Sequence, residues 1–315
     1  MAIFVFAETA EGKYKKAAIE AVSYAKAVAD KAGDSVTAIA FNATDPSDVL
    51  YKYGATKVLK VNNPALAIFT PDAYAKAIAQ LVGDASTVIL THTNDGGTFA
   101  PLLAVALDAN IVSNVTAAPE SVSPFVVERK SYSGKGIMVV QAEGKNVITV
   151  LQGSFGVIES AVSGSEETVS VDVQSKLTAE NQAAQSAKIN LIEAERVVSA
   201  GRGMKAPENW GMIEELADVL GAATACSKPC SDIGWRPHSE HVGQTGKAIS
   251  PDLYIAVGIS GAIQHLAGVG TSRVIVVINS DPEAPFFKAA DYGVVGDAFQ
   301  VVPALIQKIK AFKGV

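Results

Sequence analysis

Residues 253–268 read LYIAVGISGAIQHLAG, and the fold turns on how this stretch divides. Leu253 to Ile259 is an apolar run of strand length, too short to be anything but one buried strand. Ser260 then reads as an N-cap, and Gly261 as a residue that lets a ligand oxygen approach the free amides of a first helical turn. A helix is expected over 260–268, with the titratable His265 one turn inside it. Such a strand-to-helix junction is the repeating unit of α/β folds, whose ligands bind beyond the carboxyl ends of the strands.

The same alternation surrounds it. RVVSAG (196–201) is a strand and ENWGMIEELADVLGA (208–222) a helix, followed by strand ATACS (223–227). Beyond the opening stretch come strands RVIVVIN (273–279) and YGVVG (292–296) and a terminal helix over 299–312. These elements make a doubly wound domain with a mostly parallel sheet. Upstream lies a second, larger α/β region with a parallel sheet flanked by helices. Its strands are expected at 3–8, 35–42, 56–63 and 87–93, with helices after residue 13, over 46–53 and 71–82, and near 98–109. In the first helix Ala17, Ala21, Tyr24, Ala25 and Val28 share a face. Residues 125–153, with turn signals at Ser-Gly-Lys-Gly and Glu-Gly-Lys-Asn, read as antiparallel strands added to that sheet. The polar stretch SKLTAENQAAQSAK (175–188) marks the boundary, so the domains expected are 1–188 and 189–315.

Composition narrows the function. At 315 residues the chain suits two domains, and 49% hydrophobic content fills two cores. A net charge of −6 without a Lys/Arg block argues against nucleic acid. No apolar stretch approaches the ~18 residues that a membrane span needs. The chain opens directly on a strand, so no signal or transit peptide is expected, and a bacterial cytoplasmic location follows as an expectation. Cys226 and Cys230 are spaced C-x-x-x-C, unlike a zinc or redox pair, and read as reduced thiols. His238 and His241 lack a third ligand for a metal.

Four consecutive strand ends of the second domain carry residues suited to a dinucleotide. GRGMKA (201–206) fits G-x-G-x-x-A, in which glycines admit a pyrophosphate, although they also serve as turn formers. The acid that a Rossmann NAD site wants on the next strand is replaced by Ser227-Lys228, which weakens the NAD reading. Ser260-Gly261, Asn279 and Asp297 occupy the other ends, each also explicable as a cap or turn residue. The loop VGQTG (242–246) is small, polar and suited to lie against a flat ring. THTNDGGTFAP (91–101) could cradle phosphate, but reads better as a turn in which Asn94, Asp95 and the glycines cap a helix.

PDLYIAVGISGAIQHLAG, INSDPEAPFFKAADYGVVGD and VGQTGK closely resemble the electron transfer flavoprotein α-subunit family, densely from about residue 195 onward and more loosely before it. The resemblance implies an FAD site in the C-terminal domain and a β subunit that covers part of the flavin. It places Arg202, Ser227 and Lys228 at the cofactor, and Val242, Gly243, Gln244 and Thr245 in a flavin-side loop, with Thr245 at the reactive ring nitrogen. Ser260, Gly261, Ala262, Ile263, Gln264 and His265 would hold pyrophosphate and flavin, with His265 donating at the pyrimidine edge. Asn279, Asp297 and Ala298 would line the adenosine end. The family usually carries Arg where this chain has Lys228. A compact point charge replaces a planar fork there, so a weaker hold on negative charge on the ring is expected.

By this resemblance the chain is an electron carrier and not an enzyme with its own substrate. Flavin dehydrogenases such as acyl-CoA dehydrogenases would donate, and a membrane quinone oxidoreductase would accept, as in fatty acid β-oxidation. The alternatives are a subunit of an NADH-dependent electron-bifurcating complex and, from another class, a stand-alone dinucleotide-binding enzyme.

Overall fold

The computed structural model describes residues 3–132, 136–180 and 190–314. The chain divides into two compact units, residues 1–183 and 184–315. The boundary expected at 188/189 lies outside the described residues, as does most of the Ser-Gly-Lys-Gly turn.

The first unit runs β1 (Ile3–Phe6), β2 (Thr9–Ala10), β3 (Lys13–Tyr14), α1 (Lys16–Ala32), β4 (Val36–Phe41), α2 (Asp48–Tyr51), β5 (Ala55–Val61), α3 (Pro71–Val82), β6 (Thr87–Thr91) and α4 (Asn94–Leu107). It continues through β7 (Asn110–Val115), β8 (Ser121–Val122), β9 (Phe125–Ser131), β10 (Gly136–Ala142), β11 (Asn146–Val150) and β12 (Ser165–Val169). The main sheet is ordered β10-β9-β7-β11-β6-β1-β4-β5-β12, with β8 paired to β9. Neighbours from β11 to β12 pair in parallel, while β9 and β10 form an antiparallel hairpin at the other edge. Adjacent residues such as Val147 and Ile148 enter different hydrophobic clusters, so both sheet faces are buried.

Three expectations are corrected here. The segment 125–153 does not add only antiparallel strands: β11 inserts in parallel between β6 and β7. All five of its residues are buried, and filling the centre of the sheet outweighs the local hairpin signal at Glu143–Asn146. In α1 the inward face holds Ala18, Ala21, Tyr24, Ala25, Val28 and Ala29; Ala17 is only half-buried. Finally, α4 starts at Asn94, with the Thr93 hydroxyl accepting from the Gly96 amide at 2.8 Å. Asn94, Asp95 and the glycines thus lie inside the helix, and Thr93 caps it. Burial, and then the buried carboxylate of Glu8 beside this end, raise the Asp95 carboxyl, an environment hostile to phosphate.

The second unit runs β13 (Arg196–Ala200), α5 (Gly211–Leu220), β14 (Ala223–Cys226), α6 (Lys228–Asp232), β15 (Leu253–Val257), α7 (Ile263–Val269), β16 (Ile275–Asn279), β17 (Tyr292–Val295) and α8 (Ala298–Lys313). Its five strands are all parallel in the order β14-β13-β15-β16-β17. The chain winds outward in both directions from β13 and β15, which makes the crevice between those two strands the topological switch point. One face is closed by α5 and α8 over Val198, Ala200, Ile255 and Val257. The other carries Tyr254, Ala256 and Val277 under Val269 of α7 and Phe286. No helix among the described residues is long and apolar enough to cross a membrane.

Candidate functional site

The carboxyl ends of β13, β15 and β16 are stitched together before any ligand is considered. Gly201 N–H donates to Val257 O (2.9 Å), Gly203 N–H to Gly258 O (3.0 Å) and Gly258 N–H to Ile278 O (2.9 Å). This meshing needs glycine. A Cβ on Gly203 would stand 2.6 Å from Gly258 Cα, and one on Gly201 2.4 Å from Gly258 O. The glycines of GRGMKA therefore admit a neighbouring strand end, and the segment after β13 enters a 3-10 turn at Arg202–Met204 instead of a long helix. That differs from a dinucleotide fingerprint, in which the same glycines open onto a helix N-terminus.

At the opening junction the structure also departs from expectation. The helix starts at Ile263, with Ala262 at its N-cap position, so Ser260 does not cap it. Ser260 instead lends its carbonyl to Phe286 N–H at 3.1 Å. Gly261 adopts φ +81° with Phe286 so close that a Cβ would lie 2.5 Å from its backbone nitrogen. Tethering this loop to Phe286 pushes the helix start three residues along and leaves Ser260, Ala262, Ile263 and Gln264 exposed as a rim.

The loop 241–247 is laid against that rim. Gln244 N–H donates to Gln264 O (2.7 Å) and Val242 N–H to Cys226 O (3.1 Å). Gly268 of α7 lets Gly243 come so near that a Cβ would meet its Cα at 2.5 Å. Val242 and Gly243 are buried by this contact, while the Gln244 and Thr245 side chains stay exposed. Gln244 and Thr245 face solvent, while Val242 and His241 face the core.

Arg202 and Lys228 bring exposed positive charge to the same edge. Ser227 precedes α6, a helix missed in the sequence because five residues with a proline give no period. Beside Arg202, Lys205, Pro229, Asp232, Ile233 and Trp235 line an open hollow of about 740 Å³. At the far end Asn279 is committed within the chain: its amide donates to Ile259 O (2.9 Å) and its oxygen accepts from Asp281 N–H (3.1 Å). Asp297 caps α8 by accepting from Phe299 N–H at 3.1 Å, and Ala298 is buried beneath it. The structure thus brings all the expected residues to one edge of the sheet, but gives Asn279 and Asp297 structural bonds of their own.

His265 is 7% exposed and sits against the sheet face. Its Nε2 lies 2.8 Å from the hydroxyl of Tyr254, and its ring meets Phe286 edge-on with centroids 5.7 Å apart. Nδ1 is buried and has no hydrogen-bond partner. Burial, and then the nearby His241, pull the imidazole down to about 4, so the ring is neutral, while the Val242 backbone acts in the opposite direction. Tyr254 was legible only as an apolar strand position, since a contact between residues eleven apart on a strand and a helix leaves no local pattern.

The other nucleophile and metal candidates are inert. Cys226 and Cys230 are free and buried, and burial pushes the Cys226 thiol up to about 12. His238 is held by Ser231 (2.8 Å), and no metal-ligating cluster occurs among the described residues.

Two family models match the chain. One, described as the electron transfer flavoprotein domain, covers residues 3–196, and one described as the electron transfer flavoprotein FAD-binding domain covers 190–270. Curated relatives are similar along their full length. The chain is 40% identical to the electron transfer flavoprotein subunit alpha of Pseudomonas aeruginosa, covering 97% of this chain and 99% of that one. It is 38% identical to that of Paracoccus denitrificans (98% and 100%) and 36% identical to that of Syntrophomonas wolfei (98% and 98%).

Proposed function

This chain belongs to the electron transfer flavoprotein α-subunit family, its second unit being the FAD-binding domain, and from that premise we propose that it pairs with a β subunit and carries electrons from flavin dehydrogenases to a quinone oxidoreductase. Acyl-CoA dehydrogenases are the donors in this reading, and the bacterial cytoplasm is its setting, in keeping with two free thiols. The observation that carries the proposal is that the FAD-binding match, 190–270, covers the β13/β15 switch point, the loop 241–247 and His265 together.

The residues present fit such a group. The buried Nδ1 of His265 has no hydrogen-bond partner within the chain, and the glycine-meshed edge carries exposed polar groups. FAD, when bound, supplies the one- and two-electron chemistry. The chain would supply the rest. Arg202 and Lys228 would add positive charge, Gln244 and Thr245 hydrogen bonds, and the segment Ser260–Gln264 backbone amides. His265 would donate at the ring, and Asn279, Asp297 and Ala298 would border the adenosine end. Donors and positive charge placed where charge develops favour the reduced state.

The test is to co-express the chain with its β subunit and titrate the purified complex anaerobically. One flavin reduced by an acyl-CoA dehydrogenase with its substrate, and not by NADH, is the expected result. Two flavins per heterodimer with direct reduction by NADH would assign the chain to a bifurcating complex instead. Absence of flavin, with NAD bound by the chain alone, would favour a dinucleotide-binding enzyme.

A further inference from the structure

Two imidazoles are buried in the second unit, His265 on α7 and His241 at the head of the loop 241–247, each 7% exposed. His241 bridges to Cys226 at the end of β14, and its carbonyl accepts from Lys247 N–H at 2.9 Å, which closes the loop. Within it, Gly246 N–H donates to Gly243 O at 3.0 Å, so Gln244 and Thr245 form the tip of a tight turn. The His241 ring is packed against this turn. A Cβ on Gly246 would stand 2.8 Å from its Cγ and Nδ1, and one on Gly243 3.6 Å from its Nε2. The two glycines of VGQTG thus close over an imidazole.

The ring fits there uncharged. Burial opposes its protonation most strongly; Asp232 favours the proton, and Lys228 and His238 repel it. The other ionisable neighbours do not take up that charge. His265 is neutral, Cys226 keeps its proton, Lys247 is itself a cation, and Glu240 is held in a fork by Arg236 at 2.8 and 2.6 Å. A charged ring must therefore reach water, and because the turn Gly243–Gly246 covers it, hydrating the ring lifts the turn.

We propose that His241 is a positioning residue of the cofactor site: its uncharged imidazole is the floor on which the turn Gly243–Gly246 rests, and protonation unseats Gln244 and Thr245. The consequence for FAD rests on the function proposed above, whereas the seating of the turn is a property of the chain itself. A group whose closed state excludes a proton favours closure fully above the ordinary histidine value of about 6.5, and loses that hold as pH falls below it.

The experiment follows FAD release from the purified heterodimer by the rise in flavin fluorescence, from about pH 7.5 down to about 5.5. In the wild type the release rate is expected to rise by up to about tenfold over that range. His241→Gln, neutral and of similar reach, should release FAD as slowly as the wild type at the upper pH and keep that rate at the lower. His241→Ala removes the floor and should release it faster throughout. A flat wild-type profile overturns the inference, as does a His241→Gln profile that keeps the wild-type rise or a His241→Ala no faster than wild type. Should His241→Gln fail to assemble, or lose FAD quickly at every pH, NMR of the wild-type heterodimer decides. The amide signals of Gln244 and Thr245 should shift as the His241 ring titrates; a ring that titrates with these amides unmoved overturns the seating. If the heterodimer carries no flavin, the functional reading fails, but the same titration of the flavin-free protein still decides the role of His241.

Discussion

A buried imidazole resists protonation because its charged form gives up solvation, and His265 is held at about 4 against an ordinary 6.5. Between these values the unfolded chain binds a proton that the folded one refuses. Its contribution to stability is therefore complete above 6.5 and is lost as pH falls toward 4, on the order of 3 kcal/mol in all. Urea unfolding of the flavin-free chain should show this loss, and His265→Ala should flatten the slope across that window. An equal slope in the two proteins would remove His265 as its source. The same substitution in the complex deletes the donor at the ring, so the flavin potential should fall while FAD stays bound; potentiometry reads it directly. From the sequence, His265 stood out as a titratable group at a strand–helix junction, and the resemblance supplied its role. Its orientation was not legible, because that depends on Tyr254 and Phe286, which meet it only after the sheet and α7 close on each other.

Elements meet at this site backbone to backbone, and the glycines at the crossings have nothing to give. Gly203→Ala and Gly268→Ala each drive a methyl to within 2.6 Å of another main-chain atom. Each should lower stability by about 1–3 kcal/mol and weaken FAD retention, since the strand ends or the loop 241–247 must shift. Gly211→Ala is the control: it opens α5 with nothing within 4 Å, and should be neutral or stabilising by up to about 1 kcal/mol. Chemical denaturation with a flavin count checks all three; a harmless Gly268→Ala would mean the loop is not held by that contact. At this scale the parallel strands other than β7, β11 and β12 were legible, because strands buried on both faces are continuous apolar runs such as those of β15 and β16. β11 was misjudged because a local turn signal competes with a central position that only the whole sheet defines. β12 was missed because Ser165–Val169 is a polar edge strand with no apolar period. The shift of the helix start from Ser260 to Ile263 was hidden for the same kind of reason: its cause, Phe286, lies on another loop.

At the scale of the molecule, each unit has its own pair of hydrophobic clusters, and both tryptophans, Trp210 and Trp235, belong to the second. Tryptophan fluorescence thus follows the FAD-binding unit, while far-ultraviolet circular dichroism follows both. Ligand at 100 times its Kd stabilises the state that binds it by about 2.7 kcal/mol. Adding FAD should therefore raise the fluorescence midpoint and leave part of the dichroism signal melting where it did. Both signals moving together would show that the units unfold as one. The two-unit plan was readable from composition and from the restart of strand–helix alternation. The sequence around 175–188 marked the change only by its lack of pattern, which places a border loosely.

The outer strand β10 presents Ile137, Met138 and Val139 to solvent in succession, and β17 does likewise with Tyr292, Val294 and Val295 at an edge of the other sheet. Main-chain groups along such edges have hydrogen-bonding capacity to spare and apolar side chains to shield it. For anyone making this protein in quantity, the consequence is practical. Overproduced by itself, the chain offers two adhesive ribbons through which copies can zip together, and inclusion bodies are the natural end. A lysine at Val139 should raise the yield of dispersed material without touching either core.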